Sequence, residues 1–154
     1  MTNNDILRRI RYTFAFNDEK MISIFGLAEY PVNREQISAW LKKDDDPDYK
    51  ACKDIPMAAF LNGLIIEKRG KKEGAIPEPE KQLNNNIILR KLKIALDLKN
   101  EGVLEIMKLA DFLMSKHELS AFFRKPGHKN YRECKDQILR NFLMGIQLKV
   151  THNK

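Results

Sequence analysis

The chain has 154 residues, 28 of them Lys or Arg and 21 Asp or Glu, so its formal charge is +7. Apolar residues make up 43% and charged residues 32%, a composition that is typical of a folded globular protein and excludes a disordered one. No apolar run approaches the ~20 residues of a membrane-spanning helix. The first residues lack the pattern of a signal peptide, and two cysteines are too few for a disulfide framework. These features predict a cytoplasmic protein of one domain or two small ones.

The sequence contains an internal duplication. Residues 4–68 align without a gap with residues 86–150, and 18 of the 65 aligned positions are identical. Unrelated segments of ordinary composition would share roughly four. The duplication predicts two helical repeats, residues 1–69 and 85–150, joined by a linker at residues 70–84 that is rich in Gly, Pro and charged residues.

Each repeat shows the periodicity of four helices. The first predicted helix covers about residues 4–16, where Ile6, Ile10 and Phe14 recur at helical spacing. The second covers about residues 19–29. The predicted N-caps are short polar side chains that can accept a backbone hydrogen bond: Asn3 or Asn4 and Asn85 or Asn86 for the first helix, and Asp18 and Asn100 for the second.

The third predicted helix opens on a capping box in both repeats, Asn33 with Gln36 and Ser115 with Glu118. The fourth helix begins after Asp54 in the first repeat, with Pro56 in its first turn, and after Asp136 in the second. No stretch alternates as a strand would. The sequence therefore predicts an all-α fold of about eight helices, in which two four-helix units are related by a pseudo-two-fold axis.

The excess positive charge lies in the second repeat. Residues 1–82 carry 14 basic and 14 acidic side chains, whereas residues 83–154 carry 14 basic and 7 acidic ones. The excess is concentrated at residues 122–132, where cations lie beside aromatic rings, as they do in sites for nucleic acid. The predicted contact residues are Arg124, Lys125, His128, Lys129 and Arg132.

Two other interpretations compete with a nucleic-acid site on the basic stretch. The basic stretch can be an ordinary solvated surface, with Phe122 and Phe123 in the core, since Phe122 aligns with Trp40. A helix-turn-helix formed by the second and third helices is the other interpretation. It fits poorly, because Pro31 lies in the turn and the side chain of Gln36 is assigned to a capping box.

Signatures of catalysis and metal binding are scarce. An enzyme that used His128 would need a pocket there with converging polar groups. The acidic loop at residues 44–48 lacks the Gly and the Glu of a calcium loop. Cys52 and Cys134 occupy equivalent positions without zinc-site spacing, so two buried thiols are expected. The prediction is therefore a protein without enzymatic activity, metal or cofactor.

The function predicted from these features is a binding or regulatory module whose second repeat holds an anionic partner, either nucleic acid or another anion. The alternative is a protein–protein interaction or self-association module, with a protein partner or a homodimer formed through exposed apolar helix faces. Neither interpretation involves a membrane.

The chain resembles the YehS-like family, a group of uncharacterised bacterial proteins, over essentially its full length. The resemblance rests on four stretches of sequence: residues 4–8, residues 60–70, residues 84–87 and residues 128–134. It implies a bacterial cytoplasmic protein with tandem helical repeats. It implies no activity and no catalytic residues, since the function of the family is unknown.

Overall fold

The computed structural model describes residues 1–152, which form eight α-helices and no strand. The chain divides into two compact units, Met1–Leu83 and a second unit that begins at Asn84. The first unit contains α1 (Asn3–Phe14), α2 (Asp18–Leu27), α3 (Arg34–Leu41) and α4 (Asp54–Arg69). The second contains α5 (Asn85–Ala95), α6 (Asn100–Leu109), α7 (Lys116–Ala121) and α8 (Asp136–His152). The predicted all-α duplication is confirmed, and the pseudo-two-fold axis stays a prediction.

Helix α4 forms the centre of the first unit. It packs against α2 and α1, and its residues from Pro56 to Leu64 are all buried. Pro56 lies in the first turn, as predicted, where a missing N–H removes no helical hydrogen bond. The ring of Phe25 from α2 lies 5.2 Å from Phe60 and 5.6 Å from Trp40, centroid to centroid. This aromatic cluster joins α2, α3 and α4 into one core.

The second unit repeats this arrangement with smaller core side chains. Helix α8 packs against α6 and α5, and α7 packs against α6. Met107 stands at the position of Phe25, and Phe122 at that of Trp40. Both side chains are buried together with Phe142. The fold is therefore retained although one of the three matched aromatic core residues is replaced by Met and the Trp by the smaller Phe.

One glycine in each unit sets how closely the last helix approaches the second. A Cβ at Gly63 would overlap the carbonyl oxygen of Ile24 on α2. A Cβ at Gly145 would overlap the carbonyl oxygen of Ile106 on α6. Because any side chain would push the two backbones apart, the close helix packing requires glycine at these two matched positions.

Two turns also recur at matched positions with left-handed backbone. The φ angles of Ala15 and Asp97, which follow the first helix of each unit, are 54° and 53°. Those of Glu29 and Asp111, which follow the second helix, are 58° and 57°. Non-glycine residues rarely adopt positive φ, so this agreement shows that the backbone path was duplicated with the sequence.

The capping predictions were right for the third helix of each repeat and wrong for the first two. Both capping boxes are present, at Asn33 and at Ser115. The N-cap positions of the first two helices of each unit lie one residue before the first predicted candidate: Thr2 for α1, Asn17 for α2, Asn84 for α5 and Lys99 for α6, the last without a side-chain capping bond. The sequence offers several adjacent polar residues at each start. At α1 and α5 the predicted caps are used in tertiary contacts, because both side chains of each Asn-Asn pair bond to residues that are distant in the sequence.

The segment between the repeats is irregular but is held against the first unit. The amide N–H of Leu83 donates to the carboxylate of Asp54, with N···O 2.9 Å. The side-chain amide of Asn62 donates to the carbonyl of Pro77 at 3.4 Å. The segment is thus bonded at two points to α4 rather than behaving as a free tether.

Candidate anion-binding loop of the second unit

A buried asparagine holds the loop between α7 and α8. Asn86, on α5, is 5% exposed. Its Nδ2 donates to the carbonyls of Phe122 and Arg132 at 3.0 and 2.8 Å. Its Oδ1 accepts from the amide of Cys134 at 2.9 Å. One side chain therefore fixes both ends of the loop through backbone atoms.

Further bonds close the loop from within. The amide of Arg132 donates to the carbonyl of Ala121 at 3.1 Å. Within the loop there are two successive turns. In the first, the amide of His128 donates to the carbonyl of Lys125, and in the second, the amide of Tyr131 donates to the carbonyl of His128. The loop therefore has a defined conformation although it contains no regular element.

His128 stabilises one of these turns. Its Nδ1 accepts a hydrogen bond of 3.0 Å from the amide of Asn130. A neutral histidine whose Nδ1 accepts carries its proton on Nε2, so the ring presents a donor to a partner. This arrangement suits contact with an anion and does not suit a general base that acts through Nε2.

All five predicted contact residues lie on this loop. Arg124 is half-buried, and the other four are exposed: Lys125, His128, Lys129 and Arg132. Within residues 1–152, Arg124, Lys125 and Lys129 form no salt bridge. Their charges are therefore not neutralised by neighbouring carboxylates of the described chain.

A groove of about 770 Å³ runs beside the loop. Its sides are formed by the α6–α7 turn together with α7, by the loop and by Ile138 near the start of α8. The lining combines apolar side chains, chiefly Phe112, Leu113 and Phe122, with two cations, Arg124 and Arg132, and two carboxylates, Glu118 and Glu133. Two of the five predicted contact residues, Arg124 and Arg132, thus line the groove, whereas His128 does not.

The aromatic residues next to the loop have separate roles. Phe122 is 6% exposed and belongs to the core. The ring of Phe123 is covered by Lys93, whose Nζ lies 4.4 Å from the ring centroid. Phe112 is half-buried in the groove wall. Of these three rings, those of Phe112 and Phe122 line the groove, and Phe112 is the more exposed of the two.

Two ionisable groups at the edge of the site have shifted pKa values. Burial raises the pKa of the Cys134 thiol to about 12, with a smaller contribution from the charge of Asp136. The amide of Ser115, which donates to Glu118, lowers the pKa of that carboxyl. The thiol is therefore protonated and unreactive at neutral pH, as expected for a buried cysteine, and Glu118 is held as a carboxylate within the capping box.

The sequence did not reveal the role of Asn86 or the residues of the α6–α7 turn. Asn86 was considered as a helix cap, but its side chain binds the loop. A signal was available, because the Asn-Asn pair recurs at residues 3–4 and 85–86 in equivalent positions. Buried polar residues repeated in both copies indicate a shared hydrogen-bonding role.

In the described part of the chain, no group of three or more His, Cys, Asp or Glu side chains is placed to hold a metal ion. None of the helices in residues 1–152 has the length and apolar character needed to cross a membrane.

Comparison of the sequence with known protein families gives one match in each of the two units. A family model described as "Protein of unknown function (DUF1456)" matches residues 3–70 and again residues 85–150. The chain belongs to this family. A relative from Escherichia coli strain K12, "Uncharacterized protein YehS", is 47% identical over 147 residues, which are 95% of this chain and 94% of the relative. This confirms the resemblance to the YehS-like family. No solved structure matches the chain. Each DUF1456 match covers one four-helix unit, so a single repeat is the unit that the family model describes.

Proposed function

We propose that this protein is a non-enzymatic module that binds nucleic acid through the loop between α7 and α8. The observation that supports the proposal is the charge of this loop on a fixed backbone. Residues 124–135 contain five Lys or Arg and a single Glu, a net charge of +4. The equivalent residues 42–53 contain four Lys and four Asp, a net charge of zero.

Phosphate contacts explain why such a loop would bind. Each phosphate neutralised by a cation releases condensed counterions, and this gain makes affinity fall steeply with salt. The loop side chains project from a backbone that Asn86 holds in place. Less conformational entropy is therefore lost on binding than from a mobile basic tail.

The test is fluorescence anisotropy with labelled single- and double-stranded oligonucleotides at low and then physiological salt. We expect binding that weakens as salt rises. The double variant Lys125→Glu/Arg132→Glu should reduce affinity by about tenfold or more, through lost phosphate contacts and added repulsion.

The first repeat provides a matched control. Lys43 and Lys50 occupy the equivalent positions and are also exposed, so Lys43→Glu/Lys50→Glu changes the net charge by the same amount. This variant should bind as the unaltered protein does. No binding at any salt concentration, or equal losses in the two double variants, would contradict the proposal.

A protein-interaction module is the second candidate function, and one observation favours it. Leu109 ends α6 and Leu113 lies in the turn that follows, and they are 47% and 76% exposed. Exposed leucines near each other in the sequence can contribute to a contact surface. Light scattering over a range of protein concentrations tests self-association. A monomer at every concentration would remove the homodimer form of this candidate.

A further inference from the structure

The groove beside the basic loop has the size of a ligand site. Its volume, about 770 Å³, lies within the range of about 300–1,000 Å³ that small-molecule sites occupy. It shares Arg124 and Arg132 with the loop, and the carboxylates of Glu118 and Glu133 line it as well. A partner that lies along the loop therefore reaches the groove without interruption.

The groove wall offers an unstacked aromatic ring. Within residues 1–152, Phe112 forms no contact with another ring. The equivalent residue of the first repeat, Tyr30, lies 6.1 Å from Phe25, centroid to centroid, and contributes to the aromatic cluster. Leu113, next to Phe112, is 76% exposed. The second unit thus presents an apolar surface where the first unit has a core contact.

The polar part of the lining can hydrogen-bond to a flat heterocycle. Asn130 lines the groove, and its side-chain amide has both a donor and an acceptor. A nucleobase needs such a combination, namely an apolar face for stacking, a polar edge for hydrogen bonds and cations for the adjoining phosphates. Bases inside a duplex are stacked on each other and cannot enter a groove of this kind.

We infer that the groove holds one unstacked base of a single-stranded nucleic acid. The base lies against Phe112 and Leu113, and Arg124 and Arg132 hold the flanking phosphates. The inference rests on the proposed function and deepens it, because it assigns a preference for single strands. The loop alone, acting through charge, would not distinguish bases from a bare phosphate backbone.

The experiment compares probes that differ only in their bases. The full-length protein is titrated with an oligothymidylate of about twelve nucleotides, with an abasic oligomer of the same length, and with a duplex of the same length. The informative variant is Leu113→Glu, which places a carboxylate in the groove. Its matched control is Leu109→Glu, the same change at an exposed position outside the groove lining.

The unaltered protein should bind the oligothymidylate about tenfold more tightly than the abasic oligomer, the size of one stacked base. Leu113→Glu should bring this ratio to about one, and Leu109→Glu should preserve it. If the unaltered protein binds both probes equally, or if both variants lose the preference, the inference is wrong while loop binding stands. If no probe binds, the proposed function fails as well.

Discussion

The two units hold the same loop with the same bonds and give it different charges. Asn4 donates to the carbonyls of Trp40 and Lys50 at 2.9 and 2.8 Å and accepts from the amide of Cys52 at 2.9 Å. Asn86 makes the three equivalent bonds in the second unit. The loop of the first unit has no net charge, whereas that of the second carries +4.

This difference shows which part of a duplicated protein can change without loss of the fold. The asparagine bonds to backbone amides and carbonyls, so the anchoring of the loop ends does not depend on which side chains stand at the tip. The tip turns are kept even where the residue changes. Asp46 accepts from the amide of Asp48 through its carboxylate, and His128 accepts from the amide of Asn130 through Nδ1. Charge could therefore diverge while the backbone was retained.

Substitution of Gly63 or Gly145 should give the largest loss of stability, and the loss should be similar in the two units. Gly63→Ala and Gly145→Ala each place a methyl group on a helix backbone that cannot yield. We expect each to lower the free energy of unfolding by about 3 kcal/mol or more, measured by urea denaturation.

Gly26→Ala is the control for this pair, because a Cβ there would meet nothing within 4 Å. It should leave stability unchanged or raise it by up to about 1 kcal/mol, since alanine favours the helix. A well-tolerated Gly145→Ala would show that α6 and α8 are not closely packed in solution.

Substitution of Asn4 or Asn86, which hold the two loops, should give the next largest loss of stability. It should also show which unit binds nucleic acid. Asn4→Ala and Asn86→Ala each remove three hydrogen bonds at a buried site, a loss of about 3 kcal/mol. Only Asn86→Ala should also weaken nucleic-acid binding, because only its loop is basic.

Hydrogen exchange of the loop amides measures the local effect. The amides of Arg132 and Cys134 should exchange faster in Asn86→Ala but not in Asn4→Ala. If Asn4→Ala weakens binding as much as Asn86→Ala does, the binding site is not confined to the second loop.

A loop exchange isolates charge from conformation. Replacing residues 126–130 with the corresponding residues 44–48 gives the second unit the acidic tip of the first. Because both loops use the same backbone bonds, we expect a stability change below about 1 kcal/mol. Affinity for nucleic acid should fall by about tenfold or more. Unchanged affinity would show that the tip charges do not contribute to binding.

The two cysteines should contribute equally to the pH dependence of stability, and this is the smallest effect that we expect. Burial, helped by a neighbouring aspartate, raises the pKa of Cys52 and Cys134 to about 12 from an ordinary value of 9.0. Above pH 9.0 the unfolded chain loses these protons, whereas the folded chain retains them until about pH 12. The free energy of unfolding should therefore fall between these two pH values, by about 1 kcal/mol per thiol at pH 10.

Denaturation of Cys52→Ala/Cys134→Ala over the same pH range provides the comparison, since this variant lacks both thiols. Its stability should depend less on alkaline pH. Parallel pH profiles would show that the thiols are not buried in solution. Reaction of the native thiols with a disulfide reagent at pH 8 should also be slow and limited by opening of the fold.

Most of the fold could be predicted from the sequence. The 3.6-residue periodicity identified the helices, and both predicted capping boxes are present. Helix starts were less certain where polar residues are adjacent. Asn3 and Asn4 were equally plausible caps of α1. In the structure Thr2 caps the helix, while Asn4 reaches a loop almost fifty residues away in sequence. Local sequence cannot show such long-range bonds.

The candidate site could be predicted only in part. The sequence placed four cations and His128 in one segment, and the structure places them on one loop. The groove could not be predicted, because its lining comes from three separate segments whose proximity depends on how α6, α7 and α8 pack. No sequence pattern identified Phe112 or Leu113 as part of a site.

The sequence by itself determined the duplication, the helical class and the uneven charge, because each of these is a property of residue order and composition. The tertiary structure decided where the buried asparagines donate, which ring stays unstacked and where the groove forms. These features depend on residues that are distant in the sequence, and they arise only when the packed helices bring those residues together.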